Sequence, residues 1–491
     1  MTLLKGKRFT NQAGAETVTI RNTMASHVSA DKKELFARMP VPKALFTMAV
    51  PTIISQVINL IYNMVDTFFI GRTGNSYMMA ATTVTLTIML MNISFANLFG
   101  IGGGSHVARL MGAGKTEHAG QVSAFCAWAT VLLALSYSLL IGVFMRPVLS
   151  FLGASENTMD YARSYCLFVI VIGTLPTLFS MVLAHLLRNT GYSREASLGL
   201  SGGGILNMFL DPLFMFVILP KGMEVTGAAV ATLLSNCAAC IYLIYAYQKA
   251  AKKSPLSLSL SEAMKIDRAN RLAVFRVGIP SAVLTGLFDV ANMCVNIIAA
   301  AHNDMALAAI GIAMKVERLP NAINVGLCQG MLPIVAFNYS SGDHDRMREV
   351  ISTARRSGLM IAFGCLLLFE IFAGFMARAF MSTSAGDTAT AVMTVTYATL
   401  FLRVRCLGSP VQFTNYHASY CMQAMGNGRG TLIHAFVREL VFYIPLMFIL
   451  DRIFGEVGLV AALPVGEALS AVVALLLLRR TIEDAKRRGT Y

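Results

Sequence analysis

The sequence predicts an all-α polytopic membrane protein: twelve transmembrane helices in two parallel-repeat lobes of six. Three observations lead there. Only 13% of the 491 residues are charged, against 56% apolar, whereas a soluble domain carries about 25% charged residues to face water. Apolar runs of 20 or more residues recur along nearly the whole chain, and about 20 such residues are needed to cross a bilayer as a helix. The two halves of the chain also repeat one another.

Residues 1–39 are polar and basic, with Lys5, Lys7, Arg8, Lys32 and Lys33. They lack the continuous apolar core of a signal peptide and read as a disordered cytoplasmic tail. Twelve spans follow, near 44–70, 79–107, 120–145, 160–187, 197–219, 226–247, 272–301, 307–336, 352–378, 389–424, 431–450 and 457–478. Several exceed a bilayer's thickness, so tilt, kinks or extensions into water are expected. Residues 40–248 form an N-lobe, 249–271 a basic cytoplasmic linker, 272–480 a C-lobe and 481–491 a second cytoplasmic tail.

The net charge of +14 has a topological reading. Eight Lys/Arg precede the first span and six lie between Gln248 and Arg271, while the opposite loops hold Arg72, Arg146, Lys221, Arg378 and Arg452. That bias places both termini in the cytoplasm of a plasma (inner) membrane protein. Anionic lipids, not nucleic acid, are the expected partners of the basic segments. The nine cysteines lie almost entirely in apolar runs, and Cys237 with Cys240 forms a lone C-x-x-C, so neither a disulfide framework nor a metal site is expected.

Ala81, Gly102, Val107, Ala108 and Gly114 recur 228 positions later as Ala309, Gly330, Val335, Ala336 and Gly342. Pro51 pairs with Pro280, Pro176 with Pro410, Gly191 with Gly426, Pro212 with Pro445 and Gly227 with Gly458, at slowly drifting offsets. An even number of spans per copy makes the copies parallel, related by an axis along the membrane normal, with a cleft between them.

Ionisable groups at membrane depth are costly and are functional candidates by default. Asn207 and Asp211 stand four residues apart on one face of the fifth span, Asp66 lies in the first and Thr232 in the sixth. At 1.5 Å per residue, Asp66, Asp211 and Thr232 sit about 8, 12 and 9 Å inside their outer boundaries. Three helices thus bring oxygen ligands to one level, suited to a proton or a small hard cation. The matching positions of the second copy are Cys294 or Val295, Leu440, Ile444 and Leu463, so the fold itself does not demand these polar groups. Two desolvated carboxylates at close range do not comfortably both ionise, and such a pair can hold a proton and release it on hydration or cation arrival. Pro51, about four turns before Asp66, is the expected hinge through which that event bends the first helix. A second polar set, Asp289, Lys315, Glu317, Arg318, Glu370, Arg403, Arg405, Arg438, Glu439 and Glu467, is nearly charge-balanced and reads chiefly as mutual salt bridges. Asp289 or Glu370 touching a cationic substrate is the minority alternative.

Gly100–Gly104 lacks the strand and Lys-Ser/Thr of a nucleotide loop and reads as close helix packing or a break in the second span. No nucleotide motif appears, no cofactor is expected, and the driving energy must come from an ion gradient. No nucleophile, base and orienting group converge, so an enzyme is disfavoured.

Several strings, in order and in repeat placement, resemble the multidrug and toxic compound extrusion (MATE) family. They are Asn63-Met-Val-Asp-Thr-Phe-Phe-Ile-Gly71, Arg109-Leu-Met-Gly-Ala-Gly-Lys115, Leu187-Arg-Asn-Thr-Gly191, Asn207-Met-Phe-Leu-Asp-Pro-Leu-Phe214, Gly227-Ala-Ala-Val-Ala-Thr232 and Gln423-Ala-Met-Gly-Asn-Gly428. The resemblance, to the DinF-like prokaryotic branch, covers roughly residues 44–480. It implies a monomeric antiporter exporting cationic amphipathic drugs in exchange for H+ or Na+ by alternating access. It implies a cation site at Asp66, Asn207, Asp211 and Thr232, a hinge at Pro51 and a cavity residue at Tyr62, with Asn59, Asn63 and Asp289 assigned to the same cavity. The C-lobe acidic residues of NorM-type members find no clear counterparts. The alternative within the same superfold is a flippase for lipid-linked oligosaccharides, which needs a larger and more cationic cavity; Lys315, Arg318, Arg403 and Arg405 keep it open.

Overall fold

The computed structural model describes residues 34–380 and 388–488, and every regular element among them is helical. The spans are Val41–Gly71, Ser76–Gly112, Thr116–Val143, Glu156–Ile172 with Thr174–Asn189, Ser193–Ile218, Glu224–Ala251, Arg268–His302, Asp304–Ser341, His344–Phe380, Thr388–Cys406 with Ser409–Ala424, Gly428–Phe454 and Glu456–Arg488. Ten of these are long and apolar enough to cross a membrane, and the fourth, bent by 45° near Gly173, makes an eleventh. The tenth completes the expected twelve. It is broken between Cys406 and Ser409, and its second half is polar because Gln412, Asn415, His417 and Gln423 face the protein interior. Residues 388 onward begin that span; residues 381–387 lie outside the described part.

The helices start and stop where short polar side chains and glycines allow. Asn75, Asp267, Asn303 and Asn427 each accept a hydrogen bond from a backbone N–H two or three residues on, satisfying a donor that the helix start leaves free. Two repeat pairs explain themselves as turns: Gly114 and Gly342 have φ of 74° and 82°, and Gly191 and Gly426 have 91° and 76°. Only glycine enters that left-handed region without cost, so the turn geometry itself fixes both copies of each pair.

A further repeat pair joins the two halves. Gly102 of the second span packs against Val274 and Gly278 of the seventh, and Gly330 of the eighth packs against Ala49 of the first. Gly102 and Gly330 are repeat equivalents, and so are Ala49 and Gly278. The two contacts are therefore one contact made reciprocally about an axis along the bundle. Both lie toward the end that carries the described termini, where Arg109 also donates to the carbonyls of Gln423 and Ala424 and Gly112 meets the backbone of Phe337. Of the two readings of Gly100–Gly104, close packing holds: the second helix runs unbroken, and Gly100, Gly103 and Gly104 abut His185, Cys126 and Asn189. The first helix likewise runs unbroken through Pro51.

Three helices contain a widened turn: Leu167–Ile172, Phe214–Ile218 and Val437–Tyr443. The last two adjoin Pro212 and Pro445, whose missing N–H and bulky ring disturb the regular ladder, and widened turns re-accommodate the freed groups.

Both expected tails need correction at their inner ends. Residues 1–33 lie outside the described part, but Leu35 and Phe36 are buried, and Phe36 stacks 5.4 Å from Phe337. The Phe36 carbonyl accepts from Asn338 (3.1 Å) and Arg346 (2.8 Å). The Phe36 ring contact and these hydrogen bonds dock the short segment on the second half. At the other end the helix continues through the expected tail to Arg488, supported on its exposed face by an Arg479–Glu483 pair one turn apart at 2.8 Å. The 249–271 linker is also docked: Trp128 donates to the carbonyl of Leu258 (3.0 Å), and the Ser257 N–H to Ser123 (3.0 Å).

Candidate functional site

Three helices of the first half build the predicted oxygen cluster. Asn207, one turn above Asp211 in the fifth span, donates through Nδ2 to Asp211 Oδ1 at 2.9 Å and to Thr232 Oγ1 at 3.4 Å. Asn207 and Asp211 are 1% and 0% exposed. Asp66 lies within electrostatic reach of Asp211, and so do Tyr62 and Tyr165 of the first and fourth spans. Three buried acceptors here, Asp66 Oδ1, Asn207 Oδ1 and Asp211 Oδ2, have no hydrogen-bond donor among the described residues. Buried polar atoms are ordinarily satisfied. Such a set of orphaned acceptors suits a bound proton or hard cation, since either supplies what these atoms lack.

In the second half the equivalent places are apolar. Val295 and Leu463 are buried in a cluster with Phe369 and Phe401, with Cys294 and Ile444 packed against it. The charged residues of that half pair instead with one another. Arg405 meets Glu317 (2.5 Å), and Arg438 meets Glu467 (2.5 Å) and Glu439 (3.5 Å), while Arg403 approaches Glu370 at 3.7 Å. Glu467 is held further by Asn415, which shares a hydrogen bond with His434, itself bonded to Ser419. The mutual-salt-bridge reading of this set describes these contacts.

Between the halves lies a cavity of about 490 Å³, walled by residues of both, which is within the 300–1,000 Å³ of drug-sized ligand sites. Tyr62, Asn59 and Asn63 are on its wall, and Asn207 and Thr232 connect it to the oxygen cluster. Asp289 is not among the wall residues; its neighbour Phe288 is, and Asp289 sits within electrostatic reach of Arg318 and Glu439. Sequence reasoning missed Arg188 on the cavity wall and the residues Gln329, Tyr416 and Tyr420 beside it, whereas Arg318 and Arg438 of the second polar set also reach the wall. Arg188 stands within the string Leu187-Arg-Asn-Thr-Gly191, where it counts as a loop-flanking basic residue unless the helix is followed to its buried end.

A helical bundle of duplicated halves, a central cavity and a buried acceptor cluster define a membrane transporter rather than an enzyme. The MatE family model matches residues 51–213 and 280–449, segments that begin at the repeat-related Pro51 and Pro280. The chain belongs to the MatE family. It is 28% identical over 444 residues to the multidrug export protein MepA of Staphylococcus aureus (strain MRSA252), covering 90% of this chain and 94% of that one. It is 29% identical over 455 residues to MepA of Staphylococcus haemolyticus (strain JCSC1435), covering 92% and 97%. Among solved structures, a MATE transporter in complex with MaL6 superimposes with a TM-score of 0.86 at 22% identity, covering 92% of this chain and 99% of that one. At that identity the likeness speaks for the fold.

Proposed function

We propose that the protein exports small amphipathic compounds through the central cavity by alternating access, driven by inward movement of H+ or Na+ at Asp66, Asn207, Asp211 and Thr232. The observation that carries the reading is the set of three orphaned buried acceptors opening, through Asn207 and Thr232, onto a cavity shared by both halves. The relatives' name, multidrug export protein, supports the substrate class. Both termini lie on the cytoplasmic face of the inner membrane in this reading. The halves are packed together at that end, so the structure corresponds to the outward-facing stage of the cycle. Loading the cluster changes its charge, and Pro51 is the point at which the first helix bends in response.

The cavity's arginines favour the oligosaccharide-flippase alternative, but its volume of about 490 Å³ is drug-sized. The test is efflux of a fluorescent amphiphile from proteoliposomes under a pH gradient alone and then a Na+ gradient alone. Each unit charge is worth about 2.3 kcal/mol per 100 mV, so either gradient is a sufficient drive. Asp66→Asn and Asp211→Asn should each lose gradient-driven efflux while still binding the amphiphile. Full efflux in both variants would sink the assignment.

A further inference from the structure

The geometry assigns an anion-binding subsite to the cavity at Arg188, so that among the amphipathic compounds exported the preferred class carries a carboxylate. This deepens the export reading and rests on it. Arg188 is 2% exposed and lines the cavity. It closes the helix Thr174–Asn189, whose C-terminal carbonyls tolerate a cation. One of its nitrogens, Nη1, donates to Gln329 Oε1 at 3.1 Å, an oxygen that also accepts from Gln56 at 3.2 Å. Its Nε has no partner.

The other arginines on the wall have an acid paired with them or within electrostatic reach. Arg438 has Glu467 and Glu439, and Arg318 has Asp289 within electrostatic reach. Among the described residues no carboxylate pairs with Arg188, and the titratable groups within its electrostatic reach are the Tyr420 hydroxyl and the His185 imidazole. Among the described residues no Asp or Glu lines the cavity. A buried guanidinium that lines a cavity, keeps one N–H without a partner and lacks a counter-charge is under-satisfied by the protein alone. A carboxylate presents two oxygens in the planar geometry that a guanidinium edge matches. Gln329 and Tyr420 come from the second half and Arg188 and Gln56 from the first, so an anion bound there would touch both halves. The expectation of a purely cationic substrate is thereby narrowed: a zwitterion or an anion with an apolar body fits this wall better.

The experiment compares equilibrium binding of a rhodamine free acid and its methyl ester to the purified full-length protein by fluorescence anisotropy. The two probes share one apolar body and differ in a single carboxylate. The wild type should bind the acid about tenfold more tightly than the ester, the ratio expected of about 1.4 kcal/mol. Arg188→Gln should abolish that preference by weakening acid binding far more than ester binding, and Arg188→Lys should restore part of it. Equal affinity for acid and ester in the wild type, no binding of the acid, or an unchanged ratio in Arg188→Gln overturns the subsite. Should Arg188→Gln fail to fold, the wild-type ratio alone decides. Because binding is read without a gradient, it is separable from transport. A protein that prefers the acid but moves neither probe under any gradient keeps the subsite and loses the export reading, whereas efflux of both probes without preference does the reverse.

Discussion

Adding a single methyl group at the seam between the halves should unseat the sealed conformation. In Gly102→Ala the new Cβ would lie 2.6 Å from the carbonyl oxygen of Val274 and 2.7 Å from the Cα of Gly278. Both are backbone atoms of the seventh helix, so no side chain can swing aside, and the two helices must separate to restore van der Waals distance. Overpacking of this kind costs about 1–3 kcal/mol. If the cost falls only on the conformation in which the second and seventh helices touch, its population drops by about 5- to 150-fold relative to the alternative. The assay uses a chain whose nine free cysteines are replaced and a single reporter, Ser281→Cys, on the cavity wall. A membrane-impermeant maleimide is added to inside-out vesicles, where it meets the terminus-bearing face. Gly102→Ala should raise the labelling rate at least about fivefold, and Gly330→Ala, whose Cβ would press on the Ala49 backbone, should do the same. Gly311→Ala and Gly364→Ala, which have open space at their Cβ positions, serve as controls. Labelling at the control rate in both seam variants would refute the reasoning that this contact holds the cavity shut from that side.

Two further predictions concern stability. Glu467→Gln removes the main counter-charge of fully buried Arg438 and should cost about 3–5 kcal/mol, read as a fall in the thermal midpoint in detergent. The triple change Glu467→Met, Arg438→Met and Glu439→Gln, which leaves no unpaired charge at Glu439, should recover most of it, and a single variant as stable as the wild type would contradict the pairing. Phe36→Ala empties the pocket at Phe337 and should cost about 3 kcal/mol in the same melt. An unchanged midpoint would mean that the segment before the first span contributes nothing to the bundle.

What was legible in the sequence follows from what each residue has to do. The paired glycines could be read without coordinates because backbone geometry demands them: Gly114 and Gly342 turn the chain, and Gly102 and Gly330 let helices touch. Asp66, Asn207, Asp211 and Thr232 were legible because a polar atom in an apolar run has few excuses, and equal depth on three helices is arithmetic. Facing was not legible. Asp289 and Phe288 are neighbours in sequence, yet only Phe288 reaches the cavity, since a rotation of about 100° per residue separates wall from interior. Arg188 was missed for a related reason: near a helix end the same residue counts toward loop charge or buried charge depending on where the helix stops. The docking of Leu35 and Phe36 rests on too few residues to make a periodic signal at all.

Duplication preserved the turns and the seam while the interiors diverged in opposite electrostatic senses. One half holds acceptors that no cationic side chain faces, Asp66, Asn207 and Asp211; the other holds charges set against opposite charges, Arg405 by Glu317 and Arg438 by Glu467 and Glu439, although both Glu439 oxygens lack a hydrogen bond. A satisfied buried pair resists change because separating it exposes both charges to desolvation. An unsatisfied cluster changes state whenever a proton or cation enters. In the proposed cycle the first half is therefore the element that responds and the second the frame it moves against, with Gln56 and Arg188 on one side of the cavity and Gln329 on the other as the contacts where that movement is felt.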